Sequence, residues 1–183
     1  MNKTLALKHS LMVAALLALP LAQAATMAKP DYTAAKSRLS AEYKSAKAAC
    51  SPMSANAKDV CIQEAKAKEK VSLAELEFDY TGKPADQSKI MVAKAESTYA
   101  VAKEKCDDSK GNEKDVCVKQ AKAVEVKSLA DAKMGKTISE AKTDASQEKR
   151  DADYKLAAEK CDAMTADAKS NCVTAAKARF GKS

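Results

Sequence analysis

The sequence predicts an all-α protein of three disulfide-stapled antiparallel helical hairpins, about six helices in all, elongated or loosely bundled. Three observations carry that expectation. First, one spacing is written three times: a Tyr, a Cys seven residues on, and a second Cys eleven residues after that, as Tyr43/Cys50/Cys61, Tyr99/Cys106/Cys117 and Tyr154/Cys161/Cys172. Second, Ala, Lys and Glu dominate, and these favour helix over strand. Third, the first residues read as an export signal, which places the six cysteines where they can oxidise.

Residues 1–24 read as a signal peptide cleaved after about Ala24. Lys3 and Lys8 form a basic start, Leu11 to Leu21 an apolar run, and Ala22-Gln23-Ala24 a small-x-small cleavage site. The run is too short to span a bilayer comfortably. No Cys follows the cleavage site closely, which disfavours a lipid anchor, and no second apolar stretch follows, so no stable membrane insertion is expected. The expected address is the periplasm.

The mature region, 25–183, keeps 30 basic and 25 acidic residues, a net charge of +5. Basic and acidic residues interleave along its length, as on a solvated helix surface rather than a nucleic-acid-binding one. Leu, Ile, Val and Phe make up only 19 of its 159 residues, too few to offset chain entropy readily. The expected fold is therefore helical, packed through small residues and dependent on its cross-links, each worth roughly 3 kcal/mol in the chain-entropy model.

The helices are expected at about Tyr32–Cys50, Ala57–Tyr80, Asp86–Asp108, Glu113–Met134, Ser139–Cys161 and Ala168–Arg179, in repeats of about 31–82, 86–135 and 139–181. Within each copy Asn56, Asn112 and Asp167 hold equivalent places and suit helix N-caps. Asp59 and Asp115, three residues on, suit a first turn. Gly111 suits the end of the preceding helix, and Pro52 shows that the first helix is already ending. The first Cys lies six residues before the cap and the second five after it, about 8–9 Å from the corner along each helix. The two thiols then stand at equal height on neighbouring helices, as a disulfide needs. Of fifteen possible pairings, the repeat favours Cys50–Cys61, Cys106–Cys117 and Cys161–Cys172.

A packing seam accompanies each pair. Ala46, Ala102 and Ala157 lie four before the first Cys, with the Tyr three before that; Ala65, Ala121 and Ala176 lie four after the second. Between copies, Thr81-Gly82-Lys83-Pro84 reads as a turn, and Gly135-Lys136 as a weaker one. The second break has no Pro, so helices four and five are free to fuse into one rod. Whether the hairpins stack sideways or string end to end is open at this level.

The inventory argues against an enzyme. The one His, His9, leaves with the signal, removing triad chemistry and imidazole metal sites. No Cys-x-x-Cys pair supports thiol exchange or a zinc hook, and no Gly-rich run cradles a phosphate. Acidic residues sit at helix-surface spacing beside lysines, Glu64 with Lys68 and Asp115 with Lys119. No catalytic residue, metal or cofactor is expected, and the six cysteines are read as structural.

The pattern Tyr-x-x-Ala-x-x-x-Cys, ten residues, Cys-[Ile/Val]-x-x-Ala-Lys-Ala, resembles a group of uncharacterised exported proteins of Gram-negative bacteria, often labelled TolA-like or cell-envelope-biogenesis proteins. The resemblance covers nearly all of the mature region and implies a periplasmic address; it transfers no catalytic residue. The functional expectation is a non-enzymatic structural or interaction protein of the envelope. Its partner would be an envelope protein or polymer, with self-association through helices compatible with the pattern. The alternatives are a stress-induced holdase or a binder of anionic envelope polymers.

Overall fold

The computed structural model describes residues 27–182, and the expected signal peptide lies outside them. The described residues form five α-helices and one short 3-10 turn: α1 (Lys29–Ala49), α2 (Ala55–Thr81), α3 (Pro84–Lys105), the turn Cys106–Asp108, α4 (Gly111–Asp162) and α5 (Ala166–Phe180). The fold is all-α as expected, but with five helices where about six were anticipated. The fourth and fifth expected helices are one, the 52-residue α4, which at 1.5 Å per residue is about 78 Å long.

Each helix packs mainly against its neighbours in sequence, α1 on α2, α2 on α3, α3 on α4 and α4 on α5. The first two hairpins therefore lie side by side, whereas the third is carried to the far end of α4. Sideways stacking and end-to-end extension both occur in this one chain.

The two breaks explain this. After α2, Gly82 turns left-handed (φ 62°) and its N–H closes onto the Phe78 carbonyl at 2.7 Å. Pro84, in the first turn of α3, cannot extend α2 but fits a helix start. Thr81 and Asp86 lock the corner. The Thr81 hydroxyl donates to Asp86 Oδ2 at 2.6 Å, and Lys89 Nζ reaches Asp86 Oδ1 at 2.7 Å. The Lys89 ammonium and then the Thr81 hydroxyl hold the Asp86 carboxyl below its ordinary range. At Gly135 no such stop exists. A helical Gly costs about 1 kcal/mol relative to Ala, which the surrounding turns absorb, and the chain runs on with Met91 of α3 against it.

The core is built from small residues. Among the described residues its buried hydrophobic side chains are Cys50, Cys106, Cys161, Ala65, Ala93, Ala95, Ala132, Ala176 and Leu76, of which Leu76 alone is a large aliphatic. Close helix approach through Ala and Cys replaces bulk. Across the α2–α3 face, Lys70–Glu96, Lys94–Glu75 and Lys105–Glu64 add ion pairs at 2.5, 2.9 and 2.8 Å. All six partners are substantially exposed, so each pair adds well under about 1 kcal/mol.

Candidate interaction surfaces

The three hairpin tips close as the spacing predicts. Cys50–Cys61, Cys106–Cys117 and Cys161–Cys172 are bonded, with Cα separations of 5.8, 5.7 and 5.6 Å, and no cysteine is free. In each pair the first Cys is buried and the second half-buried. Closed pairs of this kind fit an oxidising compartment, periplasmic or extracellular. No described helix is long and apolar enough to cross a membrane.

The helix starts differ from expectation. The N-cap positions are Ser54, Lys110 and Thr165, and none of them makes a side-chain cap bond. Asn56, Asn112 and Asp167 lie inside the first turn instead. The reason is a left-handed residue at one equivalent place in every corner, Ala55 (φ 49°), Gly111 (φ 54°) and Ala166 (φ 28°), which reverses the chain early and starts the helix there. Gly111 thus opens α4 rather than ending α3. Asn56 is released to work between hairpins: its side-chain amide donates to the Glu104 carbonyl at 3.0 Å, joining the first tip to the end of α3.

The repeated tyrosines are half-buried packing groups. Tyr43 lies with Ala46 and Ala65 around a tight crevice between α1 and α2. Tyr99 lies under Lys122, whose ammonium is 4.9 Å from the ring centroid and also bonds Glu125 at 2.5 Å. Tyr154 meets Phe180 edge-on at 6.5 Å. Sequence reasoning missed the clasp at the open end of the first hairpin. There Tyr32 stacks on Tyr80 at 4.4 Å and donates its hydroxyl to Glu77 at 2.7 Å. That bond, with burial, raises the Tyr32 phenol above its usual range.

The least covered part of the molecule is the middle of α4. Residues 140–150 are all exposed; Glu140, Thr143 and Asp144 share an open hollow with Lys83, Pro84 and Ala85 at the start of α3. The helix holds itself there through side-chain pairs one turn apart. Arg150 donates to Ser146 Oγ and Gln147 Oε1, and Gln147 donates to Asp151. At the far side Lys182 Nζ meets Asp151 Oδ1 at 2.6 Å, tying the end of α5 back to the rod. Lys182, then Gln147, keep the Asp151 carboxyl below its ordinary range.

Along this rod Met134, Ile138, Ala141, Ala145, Ala152 and Leu156 recur at spacings of three, four and seven. Such residues share one helix face. Met134 is 57%, Ile138 48% and Leu156 56% exposed, and the face has no partner within the described chain. The spacing was legible in the sequence, but nothing there said that tertiary packing would leave this face uncovered. Among the described residues no cluster of three or more His, Cys, Asp or Glu is placed to hold a metal ion. No family model, no curated protein and no solved structure matches the chain.

Proposed function

We propose that this is a non-enzymatic, exported interaction protein of the cell envelope, and that the bare central length of α4 is its working surface. The observation that carries the reading is the exposed apolar stripe from Met134 to Leu156, which crosses a stretch, 140–150, where every residue is exposed. A helix polar all round would need only solvent; one with three large, exposed aliphatic or thioether side chains at heptad-like spacing suits a second helix laid along it. The disulfide-stapled hairpins at both ends serve as rigid handles that keep the rod extended. The expected export signal and the closed cystines support the envelope address.

The test is site-specific photo-crosslinking in cells. A crosslinker at Ile138 or Ala145 is expected to trap one species of defined mass, and Met134→Lys with Ile138→Lys to abolish it while leaving the fold intact by circular dichroism. A ladder with no defined product, or none at all, would remove the reading. A holdase reading draws on the wider set of exposed hydrophobics, including Val124, Val126 and Met164. It requires that the purified protein slow the aggregation of a denatured client, and it fails if the client aggregates at an unchanged rate.

A further inference from the structure

The three hairpin tips differ at the residue that follows the first Cys. In the second tip Asp107 follows Cys106, and Lys114 Nζ meets it at 2.8 Å. In the third, Asp162 follows Cys161 and pairs with Lys169 at 3.0 Å. In the first, the residue after Cys50 is Ser51, so the equivalent Lys58 has lost its carboxylate and makes no ion pair among the described residues. Asp59 does not replace it. Asp115 holds the same place in the second copy, where Lys114 nonetheless pairs with Asp107.

Two further lysines converge on the vacant position. Lys44 and Lys47, from the last turns of α1, join Lys58, Ser51, Ala48 and Ile62 around an open concavity of about 400 Å³. Neither Lys44 nor Lys47 makes an ion pair among the described residues. Three lysines with no ion pair among the described residues and one serine thus line a hollow at the place where the other two copies carry an Asp. A single carboxylate would leave most of that charge unanswered. A phosphate group carries close to two negative charges and three acceptor oxygens, and flexible lysines adapt to it as point charges.

We infer that the tip of the first hairpin binds a phosphate group, in the place that Asp107 and Asp162 occupy on the other two tips. The phosphate is either free in solution or the headgroup of an anionic lipid, and the two share this chemistry. The site belongs to the α1–α2 corner alone and stands or falls independently of the α4 surface.

The test uses the isotopically labelled mature chain. Inorganic phosphate titrated at low ionic strength is expected to give saturable amide shifts confined to residues 44–62, weakened by added sodium chloride. Ser51→Asp restores the residue type that the other two copies tolerate, so the fold is kept, and should weaken binding about tenfold or more, because the new carboxylate competes for Lys58 and repels the anion. Lys58→Met should do the same. Co-sedimentation with phosphatidylcholine vesicles containing phosphatidic acid separates the sources. Phosphate shifts with no vesicle binding assign the site to the free anion. Vesicle binding lost in Ser51→Asp assigns it to a headgroup. Shifts spread evenly over all three tips, no saturation, or undiminished binding by Ser51→Asp would overturn the inference.

Discussion

The two ends of α4 carry the same repeat in different surroundings. Beside its N-terminal part lies α3, which rests in turn on α2, and the buried residues of this layer include Ala65, Leu76, Asp86, Ala93, Ala95, Ser97, Glu125 and Ala132. Around its C-terminal part α5 alone packs, and among the described residues beyond Ala132 only Cys161 and Ala176 are buried. The motif is the same, Tyr to Cys to Cys with an Ala seam. What differs is whether a hairpin has a second hairpin beside it. A repeat whose own core is this thin draws stability from its neighbours, so the third hairpin should depend on its cystine far more than the first.

The largest effect expected from that contrast comes from the cystines. Cys161→Ser with Cys172→Ser removes about 3 kcal/mol of loop constraint from a hairpin left with Ala176 as its only buried residue. Hydrogen exchange should show α5 amides losing protection. Cys50→Ser with Cys61→Ser should leave α2 protected, because α2 also rests on α3. Equal loss in both hairpins would break the comparison.

A second effect of similar size sharpens the geometry. Gly135→Pro removes a backbone donor inside α4 and costs about 3 kcal/mol or more of helix. It should turn the rod into a hinge, so that small-angle scattering reports a shorter maximum dimension while all three cystines stay closed. An unchanged scattering profile would mean that the rod is not held by helix continuity at this point.

The smallest effect concerns the corners, where left-handed backbone stands at Ala55, Gly111 and Ala166. Gly111→Ala meets no atom within 4 Å and should lower stability only by the backbone term, about 1–2 kcal/mol. Ala55→Gly should raise it by a similar or smaller amount. Thermal unfolding of the two variants, if they shift in the same direction, would show that the three corners are not equivalent.

Much of the fold was legible because it is local. The distance from Tyr to Cys to Cys is set by helix rise and a corner of a few residues, so spacing alone predicted the pairing and the hairpins; of the expected Ala seams, Ala65 and Ala176 are buried, Ala102, Ala121 and Ala157 half-buried and Ala46 exposed. The helix starts were misjudged by two residues because Asn and Asp are good caps in isolation, whereas here the corner's left-handed residue sets where the helix begins. The Tyr32–Tyr80 clasp was missed because its partners stand 48 residues apart with no repeat to link them. The candidate surface on α4 was readable as a pattern of Met134, Ile138 and Leu156, but not as a bare one.

The amino-acid order by itself determined that this chain makes stapled helical hairpins, since cysteine spacing and helix propensity act over one or two turns. Only the tertiary structure decided that two hairpins lie flat together and the third stands off along a rod. That choice rests on a small balance: at Gly82 and Pro84 the helix cannot continue and the chain folds back, whereas at Gly135 continuing costs only about 1 kcal/mol and the helix carries on.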